Sequence, residues 1–245
     1  MMTNLQSHRV SRRDLVIGSA AISSGLALTQ TARAADNVSA NAPVKPSNPI
    51  EQIIEIFGGV DFNQEAVENA RRQGTEDPRL NYHLRRSSAR SHAIQAAMQA
   101  ESDGADEGFI AAAFLHDIGH YFSAPSPIGQ EDEYDDLHEL IGARWLENIF
   151  VKEVTESVLL HVPGKRYLVA TRPEYSNIIS SGSMNSLMRQ GGPMTSQEID
   201  EFENQPFWEW GVQVRIWDDK AKVRGFELPN IERFIPYLEA SVLKG

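Results

Sequence analysis

Histidine is the residue type that most constrains what this chain can fold into. Of seven histidines, His8 sits near the N-terminus. The other six, His83, His92, His116, His120, His138 and His161, fall within or at the ends of segments with helical periodicity. Several of them interrupt or border apolar runs, where an imidazole without a partner is costly to bury. Facing helices of a bundle solve this by turning such side chains toward a common centre, where they can hold a metal. The chain has no cysteine, which excludes disulfides, thiolate zinc sites, cysteine-ligated clusters and a cysteine nucleophile. Imidazole and carboxylate remain as donors, a set suited to Fe, Mn, Ni or Zn.

The remaining pattern is almost wholly helical. Ile50, Ile53, Ile54 and Phe57 share one helical face that ends at Gly58-Gly59, and residues 62–72 continue as a polar helix before Pro78 breaks the chain. An Ala-rich helix is expected over 81–102, a buried one over 109–118, and a further one over 137–150. The spacing predicts a helix over 151–161 closed by Pro163-Gly164. Shorter helices follow over 173–177, 183–190, 195–204 and 231–243, the 195–204 helix opening on Thr195-Ser196-Gln197-Glu198, a capping-box pattern. Residues 212–216 alone alternate as a strand would. The expectation is an all-α single domain over 49–245.

With 245 residues, 41% hydrophobic and 23% charged, the chain can bury a real core. Its formal charge of −11 argues against a nucleic-acid partner, which requires a basic surface.

Residues 1–34 read as an address. The pair Arg12-Arg13 precedes a weakly apolar stretch rich in Ala, Gly and Ser, followed by Ala32-Arg33-Ala34, a small-x-small cleavage site. The twin arginine resembles a Tat export signal. The stretch is shorter than the ~20 residues that span a bilayer, so no stable membrane anchor is expected. Export by the Tat machinery to the periplasm or beyond is the expected fate. Residues 35–48, with Pro43 and Pro46, read as a linker.

His116 and Asp117 are adjacent, and His120, four residues on, is expected on the same helical face. His92 lies within one helix, His138 begins another and His161 ends a third. In this order, with Asp218 far downstream, His92, His116-Asp117, His138, His161 and Asp218 resemble the HD-domain superfamily, helical bundles with divalent metals in the core. The segments Phe114-Leu115-His116-Asp117-Ile118-Gly119-His120-Tyr121, His138-Glu139-Leu140-Ile141-Gly142-Ala143, His161-Val162-Pro163-Gly164-Lys165-Arg166, Gln190-Gly191-Gly192-Pro193-Met194 and Arg215-Ile216-Trp217-Asp218 are similar to a narrower group. These are the HD-domain mixed-valent diiron oxygenases that cleave the C–P bond of 1-hydroxyphosphonates, distant relatives of myo-inositol oxygenase. The similarity runs over about residues 82–220.

The resemblance implies an HD-domain helical bundle with a dinuclear metal centre in its core. It implies that His92, His116, Asp117, His138, His161 and Asp218 ligate two iron ions in the Fe(II)/Fe(III) state, with Asp117 bridging. His120, Lys165, Ser183, Gln190 and Arg215 correspond to positions that hold the substrate, and cations beside neutral donors suit a phosphonate. Tyr82 corresponds to a tyrosine guarding the iron where O2 binds. Tyr82, His120 and Lys165 are thereby the candidate catalytic side chains. Where that group has an amino-recognising glutamate, this chain has Arg85, which points to an anionic or neutral substituent or to a shifted register. The implied reaction takes an organophosphonate and O2 to inorganic phosphate and a carboxylate.

A metal-dependent HD-domain phosphohydrolase acting on a phosphate ester is the alternative, and a binding module without turnover is the third reading. Without the resemblance, Lys165-Arg166 after a Pro-Gly turn would read as a solvated helix end. The acidic run through Asp135-Asp136 reads as a solvated loop. Trp208, Trp210 and Trp217 read as packing against the C-terminal helix.

Overall fold

The computed structural model describes residues 48–58, 78–123, 135–223 and 227–244, with the backbone alone over 78–87. The export signal, most of the linker, the helix expected over 62–72, and the side chains of Tyr82 and Arg85 lie outside the described residues. All those described belong to one compact unit, Val44–Gly245.

Every regular element among the described residues is helical. Helix α1 (Pro49–Ile56) starts where Asn48 Oδ1 accepts the backbone N–H of Ile50 at 3.0 Å and of Glu51 at 3.3 Å. Helix α2 (Pro78–Ser102) buries Ala93, Ala96, Ala97 and Ala100. Those small side chains let α3 (Glu107–Leu115) lie close, and α3 is buried from Gly108 to Leu115. A helix apolar all round belongs in the centre of a bundle, and that is its place here. Pro78 opens α2 rather than breaking the chain ahead of it, because a helix start has no use for the missing N–H.

The buried helix ends earlier than residues 109–118 suggest. Asp117 leaves it at φ −99°, ψ 9°, and Ile118–Tyr121 form a 3-10 turn. His120 is therefore not stacked one α-turn above His116. Helix α4 (His138–Leu146) is shorter than expected at its far end.

Helix α5 (Lys152–Thr171) runs straight through Pro163-Gly164. Proline costs this helix a hydrogen bond, but packing on both sides of it decides the outcome. Leu160 and Val162 before it, and Gly164, Lys165 and Leu168 after it, are all buried. Gly164 touches backbone, since a Cβ there would fall 2.9 Å from the Gly211 carbonyl oxygen. A Cβ on Gly211 would in turn lie 2.5 Å from the Leu160 carbonyl oxygen. Two glycines thus bring α5 and α8 (Trp208–Lys220) together backbone to backbone. The pair Lys165-Arg166 is consequently mid-helix, with Lys165 buried, and not a solvated terminus.

Residues 212–216 are helical within α8, not a strand. Val212, Val214, Arg215, Trp217 and Asp218 are all buried, so this helix is covered on several sides and alternation carries no strand signal. Before α8 come a 3-10 turn (Pro173–Asn177), α6 (Ser181–Arg189) and α7 (Ser196–Glu203). Thr195 and Glu198 form the anticipated capping box of α7. After α8, a 3-10 turn (Ile231–Phe234) leads into α9 (Ile235–Ala240). The tryptophans pack into the core as expected, Trp210 and Trp217 in one cluster with Phe234 and Leu238, but their ring partners lie on other helices. Trp210 and Trp217 meet Phe109 of α3, and Trp208 meets Tyr167 of α5 and Phe202 of α7. No described helix is long and apolar enough to cross a membrane.

Candidate metal centre

Five helices and one turn deliver six donors to the middle of the bundle. His92 comes from α2, His116 from the end of α3, Asp117 from the turn after it, His138 from the start of α4, His161 from α5 and Asp218 from α8. They form two groups whose ligand atoms can converge on one ion each, His92 with His116 and Asp218, and Asp117 with His138 and His161.

Within the first group His92 Nε2 lies 3.1 Å from His116 Nε2 and 2.9 Å from Asp218 Oδ1. Within the second, His138 Nε2 lies 3.2 Å from His161 Nε2. Asp117 stands between them. Its Oδ2 is 3.6 Å from His92 Nε2 and 3.4 Å from His116 Nε2, while Oδ1 is 3.5 Å from His138 Nε2 and 3.6 Å from His161 Nε2. One carboxylate thus faces one imidazole pair with each oxygen.

The far nitrogens are held as well. His92 Nδ1 donates to the Ala221 carbonyl at 3.0 Å, His116 Nδ1 to Ala113 at 2.8 Å and His161 Nδ1 to Val158 at 2.6 Å. His138 Nδ1 donates to Asp136 Oδ1 at 2.8 Å. A proton fixed on Nδ1 leaves Nε2 of a neutral imidazole as a bare donor, so all four rings are oriented with lone pairs inward.

The electrostatics agree. Burial alone would raise the Asp117 carboxyl, but His116 and His120 outweigh it and hold it well below the usual range. Burial works the same way on Asp218 and is overcome by Arg215, then His92 and Lys222. Burial pushes His161 down to about 4, which keeps it neutral.

Beside the first group lies a cluster of cations. Arg215 Nη1 pairs with Asp218 Oδ2 at 2.5 Å, its Nε with Asp219 Oδ2 at 2.8 Å, and Nη2 contacts both Asp219 Oδ1 and Ser183 Oγ. Lys165, one turn beyond His161 on α5, donates to Ser186 Oγ at 2.8 Å. Burial, and then the charge of Arg215, lower its ammonium to about 8. Lys222 Nζ reaches Ser183 Oγ at 2.9 Å, Asp218 Oδ1 at 2.9 Å and Asp219 Oδ1 at 3.0 Å. Gln190 Oε1 is buried with no hydrogen-bond partner among the described residues.

His120 lies on the other side, its ring stacked on His138 with centroids 3.8 Å apart. Its Nε2 is 3.7 Å from Asp117 Oδ1 and its Nδ1 is 2.6 Å from Asp136 Oδ2. Burial opposes its charge, yet Asp117 and Asp136 raise it to about 9. Asp136 is therefore not a solvated loop acid. It joins two histidines, and the only sequence signal is its place two residues before His138. Asp219, Tyr175, Ser186 and Lys222 also escaped the sequence reading. Asp219 stands four residues after Arg215, a helical pairing distance, whereas Tyr175, whose hydroxyl meets Asp219 Oδ2 at 2.5 Å, comes from a separate element with no sequence cue.

No protein-family model matches the sequence. Individual relatives do. A [1-hydroxy-2-(trimethylamino)ethyl]phosphonate dioxygenase (glycine-betaine-forming) of Leisingera caerulea is 41% identical over 153 residues, 62% of this chain and 78% of its own length. A hydroxymethylphosphonate dioxygenase of Gimesia maris is 41% identical over 155 residues, 61% of this chain and 75% of its own. An uncharacterized protein of Acanthamoeba polyphaga mimivirus is 34% identical over 156 residues, covering 71% of its length. A helical bundle with paired His/Asp groups defines an HD-type metal enzyme, and these relatives narrow the class. The chain belongs to the HD-domain oxygenase family that includes the phosphonate dioxygenases, enzymes that use O2.

Proposed function

We propose that this enzyme cleaves the C–P bond of a 1-hydroxyphosphonate with O2, yielding inorganic phosphate and a carboxylate, and that its metals are a pair of iron ions. The observation that carries the reading is the joining of two donor groups through Asp117 to buried cations through Asp218. The donor set fits such a metal pair. Two imidazole lone pairs about 3 Å apart repel unless a cation shares them. The carboxylates that favour a proton on His92, Asp218 foremost and against the pull of burial, would equally favour a metal cation there. His92, His116 and Asp218 would hold one ion, His138 and His161 the other, with Asp117 between. Such a pair would supply the redox chemistry with O2.

The rest falls to side chains. Arg215 and Lys165 attract the phosphonate dianion, Ser183 and Gln190 offer neutral partners, and His120 donates from the opposite side. Asp219 and Tyr175 hold the Arg215 guanidinium in place, so that its fork is oriented before substrate arrives. The test is aerobic turnover of a panel of 1-hydroxyphosphonates by iron-loaded protein. Phosphate release should match O2 uptake mole for mole. Phosphate released from an ester without O2 uptake would point to hydrolysis instead.

We also propose that the chain is exported through the Tat pathway to the periplasm, on the strength of Arg12-Arg13 and the site after Ala34. Replacing both arginines by lysine should retain the full-length protein in the cytoplasm. Unchanged export would refute this.

A further inference from the structure

Asp136 uses both carboxylate oxygens on the site. Oδ2 accepts from His120 Nδ1 at 2.6 Å and Oδ1 from His138 Nδ1 at 2.8 Å. The two rings lie nearly parallel, 20° apart at 3.8 Å. The backbone is shaped around this contact. Leu137, between Asp136 and His138, sits in the left-handed region at φ 51°, ψ 33°, a conformation that costs a leucine about 1–2 kcal/mol. It turns the chain so that the carboxylate meets the imidazole two residues on. Gly119 permits the other approach. A Cβ there would fall 1.9 Å from the His138 carbonyl oxygen, so any side chain would push the turn carrying His120 off the start of α4. Ser123 Oγ adds a weaker contact to Asp136 Oδ2 at 3.4 Å.

We propose that Asp136 is a positioning residue that locks His120 and His138 into one unit, setting the phosphonate-holding imidazole by reference to the metal ligand. The His120 half rests on the function proposed above. The chemistry turns on counting acceptors. Two Nδ1–H groups need two acceptor atoms, which a carboxylate has and a carboxamide lacks. In Asp136→Asn the single oxygen serves one ring. His138 must keep its proton on Nδ1 for Nε2 to ligate, so the oxygen goes there and the amide NH2 faces His120. His120 then has no acceptor for its Nδ1–H and loses its anchored orientation. Metal is retained while the grip on phosphonate weakens. Asp136→Ala removes both acceptors and loosens His138 as well.

The experiment uses the full chain loaded with iron, comparing wild type, D136N, D136A, H120A and D136N/H120A, all checked for unchanged helix content. Calorimetry with inorganic phosphate reads the His120 arm, and iron retained against a chelator reads the His138 arm. D136N should keep its iron and bind phosphate about 10-fold more weakly. In the H120A background the same change should have less than about a 2-fold effect, because the two residues act as one. D136A should lose iron affinity by about 10–100-fold. An equal D136N penalty in both backgrounds, or wild-type iron retention in D136A, would overturn the proposal. Failure of the wild type to bind phosphate would instead overturn the function assigned to His120. The chelator arm then decides the link between Asp136 and His138 alone.

Discussion

The two donor groups look alike in composition but are anchored to different surroundings. The first, His92, His116 and Asp218, has both imidazoles fixed by backbone carbonyls, and its carboxylate shares Arg215 and Lys222. The second has His161 fixed by backbone but His138 fixed by a side chain, Asp136, which also holds His120. The first group thus borders a cluster of cations, the second a histidine. Each can be disturbed separately, and the failures should differ in kind.

The largest effect is expected at His116. It is fully buried and faces His92, His161 and Asp117. His116→Ala should abolish turnover and empty the first group of metal, read by metal analysis and O2 uptake. Residual metal of about one ion per chain would show that the groups load independently.

Next comes Arg215. Its side chain is 4% exposed and neutralises Asp218 and Asp219, which are 5% and 2% exposed. Arg215→Met leaves two buried carboxylates short of their partner, a change worth about 3–5 kcal/mol in stability. Lys222 lies within 3.0 Å of both acids and can take up part of the loss. The expected outcome is a lower Tm with metal still bound and a raised KM, opposite to the pattern at His116. If metal is lost in proportion to activity, the cation cluster serves the metal and not the substrate.

Much of this difference was invisible in the sequence, for physical reasons. The all-helical class followed from periodicity, and the donor residues from their order along the chain. The course of α5 did not, because Pro163-Gly164 reads locally as a stop. It becomes a crossing point only when Gly211, 47 positions on, lies against it. The same holds for residues 212–216, whose alternation is overridden by burial on several sides. At the site, the family motifs pointed to the donors and to His120, Lys165, Ser183, Gln190 and Arg215. Asp136 looked like one more acid in a charged run, since nothing local says that two imidazoles converge on it. The side chain of Tyr82 falls outside the described residues, so the guarding role implied for it stays an expectation from resemblance.

A subtler prediction separates the two cationic sides by pH. Lys165 is lowered to about 8 by burial and Arg215, whereas His120 is raised to about 9 by Asp117 and Asp136 against burial. As pH rises through about 8, Lys165 loses its proton first and its pull on the phosphonate with it, so kcat/KM should fall on the alkaline side. Lys165→Arg cannot titrate there. Its alkaline limb should move up toward the value set by His120, near 9. A limb that stays in place would assign the ionisation elsewhere.

The smallest expected effect is at Ser186, the acceptor for Lys165. Its hydroxyl takes the ammonium at 2.8 Å and donates onward to the Ser183 carbonyl at 3.1 Å. Hydrogen bonds to charged groups contribute about 1.5–3 kcal/mol, but the nearby carboxylates also steady this ammonium, so Ser186→Ala should fall at the low end. The direction is firm. An ammonium deprived of an acceptor in a buried setting is less favoured, so the alkaline limb should move to lower pH, opposite to the shift in Lys165→Arg. Metal content should not change, because Ser186 meets Lys165 and the Ser183 carbonyl rather than any of the six donors. A loss of iron in Ser186→Ala would therefore collapse the distinction between the two groups, and an unmoved limb would remove Lys165 from the phosphonate's partners.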